Sequence, residues 1–469
     1  MTDKTVIIGA GPAGLSAGYH LAKNGRKNIV VLEAQNQVGG LAKTIHKKGY
    51  YFDIGPHRFF TKNDEIDKLV NQLIGRQLKK VKRYTPIYFQ QKFFDYPIKL
   101  GNVIKNLGFL MSVRILADYL VARIRVHLWP KPEKSFEDWM VNRFGRTLFR
   151  CFFQVYTEKL WGISTKKLSA QFAAQRIKQL NVFEAVKNAI RSDKKQKIRT
   201  LVDEFKYPKY GIGQIYQKMA DQIKKANQVL VNSPVARIHL KNHQVISVVL
   251  KNGQKIALDE LVSSMPITDL IFALTPTAPQ KVITAAKKLK FRGLLSVILA
   301  IKKPQVTRAT WIYVHEPKTT LGRITELKNW SKEMVPAGRT SLIAEMWAFE
   351  NEKKWRLPDK ELIEIAVGDL SNLMGFIKKD KIEFAFVYRE PKAYPAYIQG
   401  YQKYLKTVKD YLRTINNLQI IGRYGTFQYN NQDHSIETGL AAAKNILAGQ
   451  RIYDIDSVNQ EQEYHEEKK

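Results

Sequence analysis

Three glycines near the start of the chain have the spacing of a phosphate-binding turn. The segment TVIIGAGPAGLSAGYHLAKNG places a short apolar run directly before Gly9, Gly11 and Gly14, and a helical pattern follows them. Such glycines let the backbone approach a pyrophosphate at a helix N-terminus, where free N–H groups and the helix dipole favour negative charge. Glu33 ends the next apolar run, where its carboxylate can accept a hydrogen bond from a ribose hydroxyl. These residues predict a dinucleotide-binding site.

A second group of residues with chemical potential lies at 156–162, in the segment YTEKLWG. It combines Tyr156, Lys159 and Trp161 directly after the apolar run LFRCFFQV. Aromatic residues at this spacing are more often core than ligand contacts, and a lysine is more often on the surface. The pattern alone leaves open whether the segment is core or one wall of a pocket.

The elements that follow Glu33 favour FAD over NAD. The continuation AQNQVGGLAKT carries Gly39 and Gly40, and it resembles FAD-binding chains of the glutathione-reductase and amine-oxidase type. Residues 229–266 alternate apolar and polar positions across turn residues, a pattern typical of hairpins. Far downstream, LQIIGRYGTFQYNNQDHSIETGLAAAKNI resembles the segment that returns to the flavin ring in such chains. We therefore expect non-covalently bound FAD.

The expected fold is α/β, with a Rossmann-like FAD-binding domain of the glutathione-reductase type. It is interleaved with a mixed α+β substrate domain that contains a helical insertion and an antiparallel sheet, whose predicted strands include LLSVILAIKK, ATWIYVHE and SLIAEMWAF. The predicted segments are 1–60, 205–267 and 415–452 for the FAD domain, 61–204 for the helical insertion, 268–414 for the substrate sheet, and 453–469 for a polar tail.

The composition limits the classes of partner. The chain has 469 residues, with 77 Lys and Arg against 42 Asp and Glu, a formal charge of +35. That balance suits an anionic partner. We expect no nucleic acid, because the lysines are spread along the chain and no nucleic-acid-binding motif is present. The single cysteine, Cys151, predicts neither a disulfide nor a cysteine-based metal site, and the sequence predicts no metal.

The most membrane-like segment, LGFLMSVRILADYLVARI at 107–124, is interrupted by Arg114, Asp118 and Arg123. A charge at a helix centre costs about 2.5–3.5 kcal/mol on insertion scales, so the pattern predicts an amphipathic helix rather than a spanning one. This helix is expected to pack on the protein or to lie on an anionic membrane. The opening residues show no signal-peptide pattern, which predicts a cytoplasmic location with peripheral membrane contact as the alternative.

Five motifs along nearly the whole chain resemble the UDP-galactopyranose mutase family, within the wider flavin amine oxidase and protoporphyrinogen oxidase group. They are FDIGPHRFF, YTEKLWG, GRITELKNW, AYPAY and GRYGTFQYNNQD. The resemblance implies an enzyme that interconverts pyranose and furanose forms of a nucleotide sugar, through a reduced-flavin N5–sugar adduct, in surface polysaccharide synthesis. The resemblance allows an external reductant such as NAD(P)H as a further partner, and the sequence does not identify the physiological reductant. The alternative is an FAD-dependent oxidoreductase of the amine oxidase or protoporphyrinogen oxidase type.

The resemblance also implies roles for individual residues. Arg323 matches the diphosphate-binding arginine, and the alternative for it is a surface salt bridge. Arg176 is a weaker candidate for a second diphosphate-binding arginine, and the alternative for it is an ordinary position on a helix. Guanidinium groups hold phosphate bidentately and stay protonated, which suits that role. The positions that match contacts to nucleotide, phosphate or sugar are aromatic: Tyr156, Trp161, Tyr394 and Tyr429.

The resemblance places His57 and Arg423 near the flavin ring. His57 would shape the environment of flavin N5, and a general-base role for it stays open. The Arg423 cation would stabilise an anionic reduced flavin. A buried, hydrogen-bonded structural histidine is the alternative for His57. The expected cofactor-binding residues are Gly9, Gly11, Gly14, Glu33, Gly39, Gly40, His57, Val235, Gly422 and Arg423. This chain departs from the family pattern in extra helical material near 102–135 and in LSAQFAAQRIKQLNVF, which replaces a mobile arginine loop. Oligomeric state and the identity of the sugar are not readable from the sequence.

Overall fold

The structure is a computed structural model that describes residues 3–96, 98, 100–170 and 204–459. Numbered in chain order, the strands are β1 Thr5–Ile8, β2 Ile29–Leu32, β3 Thr44–Lys47, β4 Tyr50–Asp53, β5 Leu78–Lys82, β6 Ile87–Phe89, β7 Lys92–Phe94, β8 Glu204–Pro208, β9 Gln228–Leu230, β10 Val235–Lys241, β11 Gln244–Leu250, β12 Lys255–Ala257, β13 Glu260–Ser263, β14 Leu274–Thr275, β15 Phe291–Ile301, β16 Trp311–Val314, β17 Arg323–Thr325, β18 Thr340–Ala348, β19 Ile382–Pro395 and β20 Leu418–Ile420. The α-helices are α1 Pro12–Lys23, α2 Asp64–Ile74, α3 Leu100–Leu107, α4 Phe109–Leu128, α5 Phe136–Phe144, α6 Arg146–Phe149, α7 Val155–Trp161, α8 Gly213–Ile223, α9 Ile267–Ala273, α10 Gln280–Lys288, α11 Lys353–Arg356, α12 Asp359–Gly368, α13 Tyr401–Arg413, α14 Gly422–Gly425 and α15 Gln432–Ala448.

A five-stranded parallel sheet carries the first glycine turn. Its strand order is β20-β13-β1-β2-β9, and every pair is parallel. Strands β1 and β2 are buried along their whole length, which explains their uninterrupted apolar sequences. The sheet draws its strands from three separated parts of the chain. This architecture is a mixed α/β fold, and the domain boundaries drawn from the sequence stay predictions.

The hairpin expected within 229–266 is present. Strands β10 and β11 pair antiparallel and are joined at Asn242 and His243, both with positive φ, as a two-residue hairpin turn requires. Both strands belong to a four-stranded sheet with the order β12-β11-β10-β14. Val235 is the first residue of β10.

The third large sheet has seven strands in the order β19-β15-β18-β17-β16-β6-β7. The three predicted strands are confirmed as β15, β16 and β18. Two expectations need correction. The sheet is not wholly antiparallel, because β6 and β16 pair in parallel. The insertion 61–204 is not wholly helical, because β6 and β7 form a hairpin whose turn residues Gln90 and Gln91 have positive φ.

The register of this sheet aligns polar side chains in one row. Ser296 on β15 pairs with Glu345 on β18, and Glu345 pairs with Arg323 on β17. Arg323 in turn pairs with Tyr313 on β16. Because directly opposed residues of neighbouring strands point to the same face, the four side chains lie on one face of the sheet.

A helical layer covers one end of this sheet. Helices α6 and α7 are joined by the π-helical segment Arg150–Gln154, so residues 146–161 run as one helical rod that carries Tyr156. The helix predicted at 107–124 is confirmed as α4. In the described part of the chain, none of the helices combines the length and the apolar character needed to cross a bilayer. Arg176 lies outside the described residues.

Candidate functional site at the flavin cavity

A cavity of about 810 Å³ begins at the glycine turn after β1. Gly9, Gly11 and Gly40 line it, together with the first residues of α1. Gly9 has a φ of +95°, a conformation that favours glycine. No side chain caps the start of α1, so its first N–H groups are free to face a ligand. Gly14 and Gly39 do not line the cavity; a Cβ at Gly14 would overlap the Gly9 carbonyl, so Gly14 allows close packing of helix and strand.

Glu33 lines the same cavity at the end of β2. Its carboxylate accepts hydrogen bonds from the backbone N–H of Ala10, at 2.8 Å, and of Gln35, at 2.9 Å. These two bonds fix the carboxylate beside the glycine turn and leave lone pairs for a ribose hydroxyl. Val235 also lines this end, so the structure places Glu33 and Val235 on one stretch of cavity wall.

The opposite end of the cavity is formed by Gly422, Arg423 and the start of α15. The Arg423 guanidinium donates from Nε and Nη2 to the carbonyl of Asn430, at 2.8 and 2.6 Å, and from Nη1 to that of Ala393, at 3.2 Å. It forms no ion pair with a carboxylate of the described residues. Backbone carbonyls thus fix the Arg423 guanidinium at this end of the cavity.

His57 also lines the cavity, from a loop that rests on the seven-stranded sheet. Ser296 Oγ donates to the carbonyl of Ile54 at 2.8 Å, and Gln432 Nε2 donates to the carbonyl of His57 at 3.2 Å. The Nδ1 atom of His57 is buried with no hydrogen-bond partner among the described residues. Burial lowers the pKa of His57 to about 3, and the charges of Arg423 and Arg323 add to this effect. The imidazole is therefore neutral near pH 7.

Arg323 lies beside His57 on the floor formed by the seven-stranded sheet. Its Nε and Nη2 donate to both oxygens of Glu345, a carboxylate that is completely buried. Burial disfavours the charge of Arg323, but Glu345 outweighs it and raises the pKa of Arg323 well above its usual value. The pair leaves the Nη1 donors of Arg323 without a partner in the described part of the chain.

Four tyrosines lie close to Arg323 or to Arg423. The rings of Tyr394 and Tyr429 stack with centroids 5.5 Å apart, and Tyr156 meets Tyr313 edge-on at the same distance. Arg423 lies 5.4 Å from the ring centroid of Tyr394 and 4.9 Å from that of Tyr429. Burial raises the pKa of Tyr394 to about 12, with Arg323 acting in the opposite direction. Within the described residues, the hydroxyls of Tyr156, Tyr313 and Tyr394 make no hydrogen bond, so all three can donate to a ligand.

Trp161 is only 1% exposed, and it packs against Tyr394 and Tyr429 at centroid distances of 6.3 Å. Its assignment to a wall of the pocket stays a prediction. Lys159 is structural, because its Nζ donates to the carbonyls of Val314, Glu316 and Leu321 at 3.3, 2.6 and 3.0 Å.

Three residues at the site were missed by the sequence reasoning: Tyr313, Glu345 and Trp347. Trp347 meets Tyr156 edge-on at a centroid distance of 5.9 Å. One signal was present, since a glutamate inside the apolar strand segment SLIAEMWAF has to be paired if it is buried. The partner could not be read without the register of β17 and β18.

The residues present fit a flavin dinucleotide. The cavity runs from an acidic residue and a glycine turn to a second helix start with an unpaired arginine, as the two ends of such a molecule demand. The fold and site together define a flavin-dependent enzyme.

The chain belongs to the flavin-containing amine oxidoreductase family, which matches residues 12–447. FAD is its cofactor, as the sequence predicted. A curated relative is the coproporphyrinogen III oxidase of Staphylococcus aureus, 22% identical over 96% of this chain and all of that protein. Among solved structures, a reduced UDP-galactopyranose mutase has a TM-score of 0.85 at 22% identity, over 98% of this chain and 97% of that one. A putrescine oxidase with bound putrescine has a TM-score of 0.62 at 17% identity, over 95% and 99% of the two chains.

Proposed function

We propose that this chain is a mutase-like enzyme that interconverts the pyranose and furanose forms of a nucleotide sugar of the UDP-galactose type, in surface polysaccharide synthesis. The observation that carries the proposal is the group of donors around Arg323. Its Nη1 and the hydroxyls of Tyr156, Tyr313 and Tyr394 have no partner among the described residues. A diphosphate is the kind of group that accepts from several such donors at once.

The aromatic rings supply the second requirement of a nucleotide pocket. A planar base needs an aromatic surface, and the stacked rings of Tyr394 and Tyr429 provide one beside Arg423. Tyr156 is held between Trp347 and His315, so its hydroxyl has a fixed direction. Binding through such fixed groups costs little conformational entropy.

The chemistry at the sugar follows from the charge of the flavin end. FAD supplies a nucleophilic ring nitrogen when it is bound and reduced. Arg423 lines this end of the cavity without an ion pair among the described residues, which favours an anionic reduced cofactor. His57 is kept neutral there, so its Nδ1 can take part in a hydrogen bond to a ligand without adding charge. Arg323 would hold the departing diphosphate close to the sugar for the return step.

A second candidate is an FAD-dependent oxidoreductase of the amine oxidase or protoporphyrinogen oxidase type. It is supported by the coproporphyrinogen III oxidase relative, which aligns with nearly the whole chain. An oxidase consumes oxidising equivalents in every turnover, whereas a mutase returns its flavin unchanged. The fate of the flavin therefore separates the two candidates.

The test uses the purified flavoprotein, reduced with dithionite under anaerobic conditions and mixed with UDP-galactofuranose. We expect UDP-galactopyranose to form while the flavin spectrum stays reduced, and external NAD(P)H to replace dithionite as reductant. The oxidised protein should give no product. If no furanosyl nucleotide is converted, and a porphyrinogen or an amine instead reduces the oxidised flavin, the oxidoreductase candidate replaces the mutase.

A further inference from the structure

Helices α3 and α4 expose an unusual amount of apolar side chain. Leu110 is 84% exposed, Phe109 73% and Trp129 64%, although each is large and hydrophobic. Soluble proteins seldom expose contiguous patches of this kind unless something covers them. The apolar face is formed by Ile104, Phe109, Leu110, Val113, Leu116, Leu120, Val121, Ile124, Leu128 and Trp129.

The opposite side of α4 explains how the helix is held on the protein. Ile115, Tyr119 and Ala122 are buried, and their spacing of three and four residues forms one narrow stripe. Asp118, next to this stripe, accepts hydrogen bonds from the N–H and the hydroxyl of Thr147, at 2.7 and 2.5 Å. The contacts fix which side of α4 faces outward, so the apolar face is a permanent feature of the surface.

The charges around the apolar face are almost all positive. With about 100° between successive residues, Arg114 and Arg125 border the apolar face on one side and Arg123 on the other. All three side chains are exposed. Asp118 is the single acidic residue between 100 and 129, and it is engaged with Thr147. An apolar face bordered by arginines suits the headgroup region of an anionic bilayer. A helix that lies there has lipid acyl chains below it and lipid phosphates beside it.

We propose that α3 and α4 form a docking surface by which this protein lies on an anionic membrane. The apolar side chains enter the boundary between headgroups and acyl chains, and the arginines contact lipid phosphates. This mode agrees with the 20-residue length of α4 and with its arginines, which oppose insertion across the bilayer. The charge pattern favours lipid over a protein partner, because it repeats one sign on both borders of one apolar face. The proposal goes beyond the proposed function and does not depend on it.

The test is sedimentation of the full-length FAD-loaded protein with sucrose-filled vesicles. We expect binding to vesicles that contain phosphatidylglycerol, weak binding to phosphatidylcholine alone, and a decline of binding as salt rises. The double variant L110S/L120S should lower the binding constant at least about tenfold. The triple variant R114Q/R123Q/R125Q should lower it on anionic vesicles by about fivefold for each charge.

Two matched controls keep this test sharp. I452S removes an exposed apolar side chain outside the surface, and K255Q removes an exposed charge; both should bind vesicles like the wild type. The flavin spectrum and circular dichroism of each variant show that it is folded. The proposal is overturned if the wild type does not bind anionic vesicles, or if the surface variants bind as well as the controls. Dimers that dissociate only in L110S/L120S, with no lipid binding, would identify a second copy of the chain as the true occupant.

Discussion

Arg323 forms an ion pair with the buried carboxylate of Glu345. Glu345 is fully buried and is paired through both oxygens, so replacing Arg323 by alanine would leave a buried charge and destabilise the fold. Arg323→Lys keeps the charge but loses the Nη1 donors. We expect it to weaken UDP binding about tenfold or more while FAD stays bound, measured by calorimetric titration. Arg339→Lys, in an arginine–glutamate pair outside the site, is the control; equal affinities in both variants would remove Arg323 from the diphosphate site.

His57 makes a prediction about pH. Its folded pKa is about 3, below that of an exposed imidazole at about 6.5. Near pH 5 the unfolded chain therefore binds a proton at this residue and the folded chain does not, so stability is present above about pH 6.5 and is lost as pH falls towards 3. His57→Asn should flatten the dependence of the unfolding free energy on pH between 4 and 6.5, measured by urea unfolding. His243→Asn, on an exposed turn, is the control variant; an unchanged slope in His57→Asn would contradict a neutral buried His57.

Helices α1 and α15 begin at the two ends of the cavity, and they pack closely against each other at Gly439. A Cβ on Gly439 of α15 would overlap the carbonyl of Ala13 and the hydroxyl of Ser16 on α1, and would lie 3.0 Å from the Ala17 nitrogen. Gly439→Ala should therefore separate the two helices, cost about 1–3 kcal/mol of unfolding free energy and weaken FAD binding. Denaturant unfolding and flavin titration measure both effects.

Gly368→Ala is the matched control for this contact. Gly368 ends α12 with no atom near its Cβ position and with a helical φ, so alanine there should be neutral or stabilise by up to about 1 kcal/mol. If both variants lost equal stability, the contact between α1 and α15 would not be the cause. If Gly439→Ala bound FAD as tightly as the wild type does, FAD binding would not depend on the distance between the starts of α1 and α15.

Among the secondary-structure elements, the sequence correctly predicted strands and helices whose apolar residues follow one dominant pattern. Strand β18 and helix α4 were both found, because each keeps a recognisable apolar pattern over its whole length of 9 and 20 residues. The hairpin of β6 and β7 was missed inside a region read as helical, since three-residue strands carry too little alternation to be distinguished. Their place in the sheet depends on the parallel pairing of β6 with β16, a contact between residues far apart in the chain.

For the whole molecule, the cofactor site was largely predictable and the substrate site only partly. Glycine turns and their flanking strands are local patterns, so Gly9, Glu33 and Gly422 could be placed from short segments. The pairing of Arg323 with Glu345 depends on sheet register, which no local pattern fixes. Trp161 is buried against Tyr394 and Tyr429, and motif position alone does not distinguish a residue that lines a pocket from one packed behind it.

The parallel sheet leads to a prediction about the whole fold. Strands β1, β9 and β20 belong to one sheet although they come from the beginning, middle and end of the chain. The cavity wall includes residues from all three parts of the chain, so FAD binding should stabilise the sheet as a unit, by about 4 kcal/mol at a thousandfold excess over Kd. Hydrogen exchange should slow together in β1, β9 and β20 when FAD is added to the apoprotein. ADP fills only the nucleotide end, so it should protect β1 and β2 more than the start of α15. Protection by FAD that stopped at residue 42 would show that the three parts of the sheet do not fold as one unit.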